Sequence, residues 1–139
     1  MSSDEWLAEV SWAGGYLFVG SDDDGHSLIY DSDNPNQKGI SPMRALLTSL
    51  GACSGMDVVA ILGKRKQKLE SLRVQMKGTR PEHGYPKPWQ TIEMRYLLTG
   101  DLDDKFVREA VEESMAKFCS VAATLKAGVK ITYSYEIGR

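Results

Sequence analysis

Cysteine and histidine are scarce, with two of each among 139 residues. That scarcity excludes a disulfide-stapled fold. Neither His26 nor His83 stands at a zinc-ligand spacing from a cysteine, so no metal site is expected. Excess charge is also lacking: 17 Lys and Arg against 19 Asp and Glu give a net charge of −2. A chain so balanced carries no basic footprint for nucleic acid. No apolar run follows a basic start, so no secretory signal is read. The uncharged stretch from Ala45 meets Asp57 too early to span a bilayer. The expectation is one cytoplasmic domain over residues 1–139, with no membrane partner and no bound cofactor. In a reducing compartment, any link between Cys53 and Cys119 is catalytic or redox-sensing rather than permanent.

What is present reads as α+β. Residues 6–12 and 16–19 flank Gly14-Gly15, a hairpin signal, and Asp24-Gly25 turns the chain into a third strand over 26–30. The acidic clusters at Asp22–Asp24 and Asp31–Asp33 lack the spacing of a calcium loop and are read as solvated turns. Ser41-Pro42 marks a helix start, and the helix runs to about Gly63. Between residues 45 and 62 it has almost no polar face, which predicts a buried helix. The cations that follow, Lys64, Arg65, Lys66 and Lys68, complement the helix dipole. Two alternating strands come next, around Leu72–Met76 and Ile92–Leu98, separated by a Pro-rich loop over 80–89. Asp101–Asp104 opens a second helix with an apolar stripe through Phe118. A short third helix over 120–127 ends at Gly128, and residues 129–137 form a last strand. One small set of strands covers such a helix poorly, so a second copy of the chain is expected to help.

Two segments carry a family likeness. "SPMRALLTSLGACSGMDVVAIL", followed some sixty residues on by "KFCSVAATLKAGVKITYSYEI", resembles the OsmC/Ohr family of osmotically inducible and organic hydroperoxide resistance proteins. "WAGGYLFVG" and "GHSLIYDSD" are similar to that family's start, and the "GACSGMDVV" form is nearest its OsmC-like branch. The resemblance implies an OsmC-like fold, strands–helix–strands–helices–strand, with a buried central helix in an intertwined homodimer. It also implies a thiol peroxidase reducing small hydrophobic hydroperoxides at the expense of an external dithiol, for instance a lipoyl-type thiol. Cys53 takes the place of the peroxidatic cysteine and Cys119 that of the resolving one. Met43 stands where Ohr members are similar in having glutamate, and no arginine precedes Arg44.

Peroxide reduction needs a thiolate, a donor for the leaving oxygen and a second thiol to clear the sulfenic acid. Burial in mid-helix favours a neutral Cys53, and Asp57, one turn on, opposes the thiolate further. A cation must offset both if Cys53 reacts; Arg80 and Arg44 are the candidates. Asp57 has a second reading, a carboxylate paired to a cation for structure. Cys119 precedes a helix, where the dipole favours a thiolate. Leu50, Met56, Phe118 and Leu125 supply an apolar pocket suited to an organic hydroperoxide. The alternative is a non-enzymatic dimer that binds a small apolar ligand or senses redox state.

Overall fold

The structure, a computed structural model, describes residues 4–138. Its elements follow the expected order: β1 (Ala8–Trp12), β2 (Phe18–Asp22), β3 (Ser27–Tyr30), α1 (Pro42–Lys64), β4 (Lys68–Thr79), β5 (Thr91–Asp101), α2 (Asp104–Glu113), α3 (Ser120–Leu125) and β6 (Lys130–Gly138). A π-helical turn, Ser114–Phe118, stands between α2 and α3. The chain divides into two compact units, Met1–Leu46 and Leu47–Arg139.

In the first unit β1, β2 and β3 form an antiparallel meander. The first hairpin closes through Ala13 N–H donating to Leu17 O at 2.8 Å, with Gly14 and Gly15 both at positive φ. The turn thus consumes Tyr16 and Leu17, and β2 begins two residues later than the sequence reading placed it. Asp22 accepts the backbone N–H groups of Asp24 and His26, both at 2.9 Å, so the first acidic cluster is a turn. Asp31 differs from the expected solvated turn. It is buried and accepts from the N–H groups of Ser32 and Lys38 at 2.8 and 3.0 Å. Large apolar side chains remain uncovered on this sheet, among them Val10, Trp12 and Leu28, with Trp12 68% exposed.

In the second unit the strand order is β4-β5-β6, with β5 antiparallel to β4 and parallel to β6. A parallel pair needs a long crossover, and α2, the π turn and α3 supply it. Alternation on β5 puts Ile92, Met94, Tyr96 and Leu98 on the buried face. Against them lie Leu50, Val58 and Leu62 of α1 and Val107, Ala110 and Val111 of α2, all essentially solvent-free. Each such side chain contributes about 1.5–3 kcal/mol of apolar burial. At Gly51 an added Cβ would meet the Met76 side chain at 2.6 Å, so the helix lies close against β4 there.

The sequence reading of α1 as buried on all sides needs correction for a single chain. Positions 50, 54, 58 and 62 form one solvent-free stripe, whereas Met56 is 71% and Val59 51% exposed. One sheet covers one face of a helix, and the remainder needs another surface. By length and hydropathy α1 is also long and apolar enough to cross a membrane, contrary to the reading that Asp57 interrupts it too soon. Its solvent-free stripe against the sheet identifies it as a core helix.

The helix ends past Gly63. Gln67 N–H donates to Leu62 O at 2.9 Å and Lys66 N–H to Gly63 O at 3.0 Å, with Lys66 left-handed at φ 56. That paired pattern is a Schellman cap with lysine where glycine is usual.

Candidate active site

Cys53 and Asp57 stand one turn apart on α1, about 6 Å along its axis, on the stripe beside the solvent-free one. The π turn brings up the second thiol. α2 is capped by Asp103, whose side chain accepts from Lys105 N–H at 2.9 Å, and its apolar stripe fits the expectation as far as Val111. The expected helix does run on through Phe118, but its last part, Ser114–Phe118, is a π turn rather than α-helix. From Ser114 the backbone widens, and Cys119 N–H donates five residues back to Ser114 O at 2.7 Å. Single π turns recur at functional sites because the extra residue redirects side chains. Here Ser114 turns into the core and Cys119 becomes the N-cap of α3.

Cys119 is buried, 4% exposed, in the core cluster against which Cys53 packs, and the Cys53 thiol is among the groups that act on it. Burial pushes its thiol up to about 11. The Ala122 N–H, 3.4 Å from Sγ, pulls the other way, while the Cys53 thiol and the charge of Asp57 add to the rise. The expectation that the helix N-terminus favours a thiolate at Cys119 is therefore overturned, because desolvation outweighs one N–H. α3 is only six residues long. Cys119 stays a thiol at neutral pH.

A buried hydroxyl chain lies beside the thiols. Ser114 Oγ donates to Asp57 Oδ2 at 2.9 Å, Ser54 Oγ is 2.7 Å from Ser114 Oγ, and Tyr96 Oη is 2.5 Å from Ser54 Oγ. Each hydroxyl has one hydrogen, so the directions follow. With Ser114 committed to Asp57, Ser54 donates to Ser114 and Tyr96 donates to Ser54. Burial holds the Tyr96 phenol protonated, pushed up to about 12 although the Ser54 hydroxyl opposes this. The Met94 sulfur, 4.0 Å from Tyr96 Oη, is a far weaker acceptor.

Asp57 also faces outward, at one end of a cleft of about 340 Å³ walled by Ile61 and Phe118 and rimmed by Lys64, Arg65 and Glu113. Arg65 is held by Glu109 at 3.6 Å and lies over the Phe106 ring. Among the described residues no ion pair reaches Asp57, and no cluster of three or more metal-ligating side chains occurs.

The other candidates are placed elsewhere. Arg44 pairs with Asp33 in the first unit. Arg80 donates Nε–H to Lys87 O at 2.6 Å and lies over the Trp89 ring, so it braces the 80–89 loop. Of the expected pocket residues, Phe118 lines the cleft. Leu50 lies in the core, Leu125 packs at its edge, and Met56 is exposed. Sequence reasoning missed Ser54, Tyr96 and Ser114. The one signal was a serine at position 54 inside an apolar stripe, since a buried hydroxyl requires a partner.

The α+β fold with two free thiols at one core cluster defines a class, and comparison with known proteins agrees with it. The family model described as OsmC-like protein matches residues 35–134, and the chain belongs to that family. Protein YhfA of Escherichia coli (strain K12) is 39% identical over 131 residues, covering 94% of this chain and 96% of YhfA. The crystal structure of a hypothetical protein from Aquifex aeolicus VF5 is similar at TM-score 0.83 and 30% identity, covering 99% of this chain and 100% of that one. The organic hydroperoxide resistance protein OhrB of Bacillus subtilis shares the fold, with TM-score 0.64 and 19% identity over 94% of this chain and 98% of OhrB.

Proposed function

We propose that this OsmC-like protein is a thiol-dependent peroxidase that reduces organic hydroperoxides to alcohols, in defence against oxidative stress in the cytoplasm. The neighbouring placement of Cys53 and Cys119 carries the reading, because it is what the resolving step requires. Cys53 attacks the distal peroxide oxygen, becomes a sulfenic acid and releases the alcohol. The Cys119 sulfur then attacks the sulfenic sulfur, and its proton leaves with the hydroxide as water. An external dithiol, of lipoyl or similar type, reduces the resulting disulfide. A raised Cys119 fits the resolving role, since a thiol protonated at neutral pH is a poor first attacker. The apolar wall of Ile61 and Phe118 favours a hydrophobic peroxide over hydrogen peroxide. The organic hydroperoxide resistance proteins among the structural relatives support the same chemistry.

The working form is a homodimer. Exposed Met56 and Val59 on α1 and exposed Val10, Trp12 and Leu28 on the first sheet are more apolar surface than a monomer usually leaves uncovered. The second reading, a dimer that binds an apolar ligand or senses redox state without turnover, is favoured by one observation. Arg44 is paired to Asp33 and Arg80 donates to Lys87 O, so both guanidinium groups already have partners of their own. A steady-state assay with cumene hydroperoxide and dihydrolipoamide, beside hydrogen peroxide, separates them. Turnover of the organic peroxide well above the hydrogen peroxide rate supports the peroxidase. No consumption of either leaves the binding reading. Sedimentation at micromolar concentration returning a folded monomer contradicts the dimer.

A further inference from the structure

Building on the peroxidase reading, we infer that Asp57 is the proton shuttle of the first step, and that Ser114 and Ser54 are the positioning residues that aim its carboxylate. Three observations meet at this residue. Asp57 follows Cys53 by one helical turn, it lines a cleft with the apolar Ile61 and Phe118, and its Oδ2 receives the end of the chain from Tyr96 through Ser54 and Ser114. A carboxylate with no ion pair among the described residues, fixed by a buried hydroxyl one helical turn from a thiol, is placed to handle a proton rather than to balance a charge. Ser54 and Ser114 are wholly buried, so the donor set behind Asp57 is rigid and shielded from water. The cations of the cleft, Lys64 at the end of α1 and Arg65 just beyond it, follow Asp57 by about two turns, and Arg65 is paired to Glu109.

The step balances without another reactant. The Asp57 carboxylate takes the Cys53 thiol proton, and the thiolate sulfur attacks the distal oxygen of ROOH. The S–O bond forms as the O–O bond breaks, and its electron pair departs on the alkoxide. Asp57 returns the proton to the alkoxide, giving ROH. Sulfur is oxidised to the sulfenic acid and the hydroperoxide is reduced to the alcohol. This supplies what an activating guanidinium supplies elsewhere, a means of stabilising the leaving oxygen, by protonation instead of charge. It also gives a use to a negative group beside a nucleophilic thiol, which by charge alone would only hinder it.

The test compares two reactions of the same thiol under single turnover, with cumene hydroperoxide and with iodoacetamide. Alkylation needs a thiolate but releases iodide, which takes no proton. In Asp57→Asn the loss of a negative neighbour leaves alkylation as fast as in the wild type or faster. The peroxide rate falls by about 100-fold, the low end of general acid–base contributions. A peroxide-to-alkylation ratio unchanged in Asp57→Asn refutes the shuttle, for Asp57 then acts by charge alone. Ser114→Ala serves if the first variant does not fold. It keeps the carboxylate but removes its donor, and the ratio falls by about ten-fold; an unchanged ratio again overturns the inference. A wild type that shows no burst with any hydroperoxide overturns the peroxidase reading and the shuttle together. A normal burst with an unmoved ratio overturns the shuttle alone.

Discussion

Raising the pH through the ionisation of Cys119 should destabilise the folded protein, by an amount that its burial sets. The thiol is pushed from its ordinary 9.0 up to about 11 in the native state. A group whose folded value is raised binds its proton more tightly when folded. Its contribution is therefore whole below the unfolded value and is lost as pH rises from about 9 to about 11. At about pH 10 the expected loss is about 1 kcal/mol, and with the thiol fully ionised it approaches about 3 kcal/mol. Urea denaturation under a phosphine reductant, from about pH 8 to about pH 10, measures it. The quantity that decides is the difference from Cys119→Ser, which lacks this group and keeps every other. The wild type should lose about 1 kcal/mol more than this variant across the interval. Equal losses in the two proteins would refute the buried, thiol-form Cys119 and weaken its assignment as the resolving residue.

Two further outcomes follow from the local geometry. Lys66→Gly should raise the melting temperature by about 3 °C in calorimetry, because glycine adopts the left-handed φ of 56 without the strain a lysine side chain brings; an unchanged or lower value contradicts the cap as described. Ser54→Ala should cost about 1–3 kcal/mol in urea denaturation by taking the oxygen acceptor from the buried Tyr96 hydroxyl and the donor from Ser114. Combined with Tyr96→Phe it should cost less than the sum, whereas strict additivity would mean the hydroxyls are not coupled.

Period and punctuation made most of the fold readable. The alternation of Ile92, Met94, Tyr96 and Leu98 named the buried face of β5, and Asp103 marks its helix start by a side chain that caps. The two cysteines were legible from the segments around them. What escaped was whatever depends on a few backbone hydrogen bonds. Nothing in Ser114–Phe118 distinguishes a π turn from a continuing helix, so the inward placement of Ser114 was invisible and with it the chain to Asp57. The charge state of Cys119 was misjudged for a related reason. A helix N-terminus is a local feature that sequence displays, whereas the burial that outweighs it is a property of the assembled core. Arg44 and Arg80 looked available as partners because a sequence shows a cation without showing the Asp33 carboxylate or Trp89 ring that already holds it.

The most direct test of the account is the single-turnover reaction of wild type, Cys53→Ser and Cys119→Ser with cumene hydroperoxide, with dimedone trapping any sulfenic acid. The wild type and Cys119→Ser should each consume about one equivalent per chain, the latter stalling with a trapped sulfenic acid at Cys53, and Cys53→Ser should consume none. A burst that survives in Cys53→Ser and vanishes in Cys119→Ser would contradict the assigned roles, and no burst in the wild type would contradict the peroxidase itself.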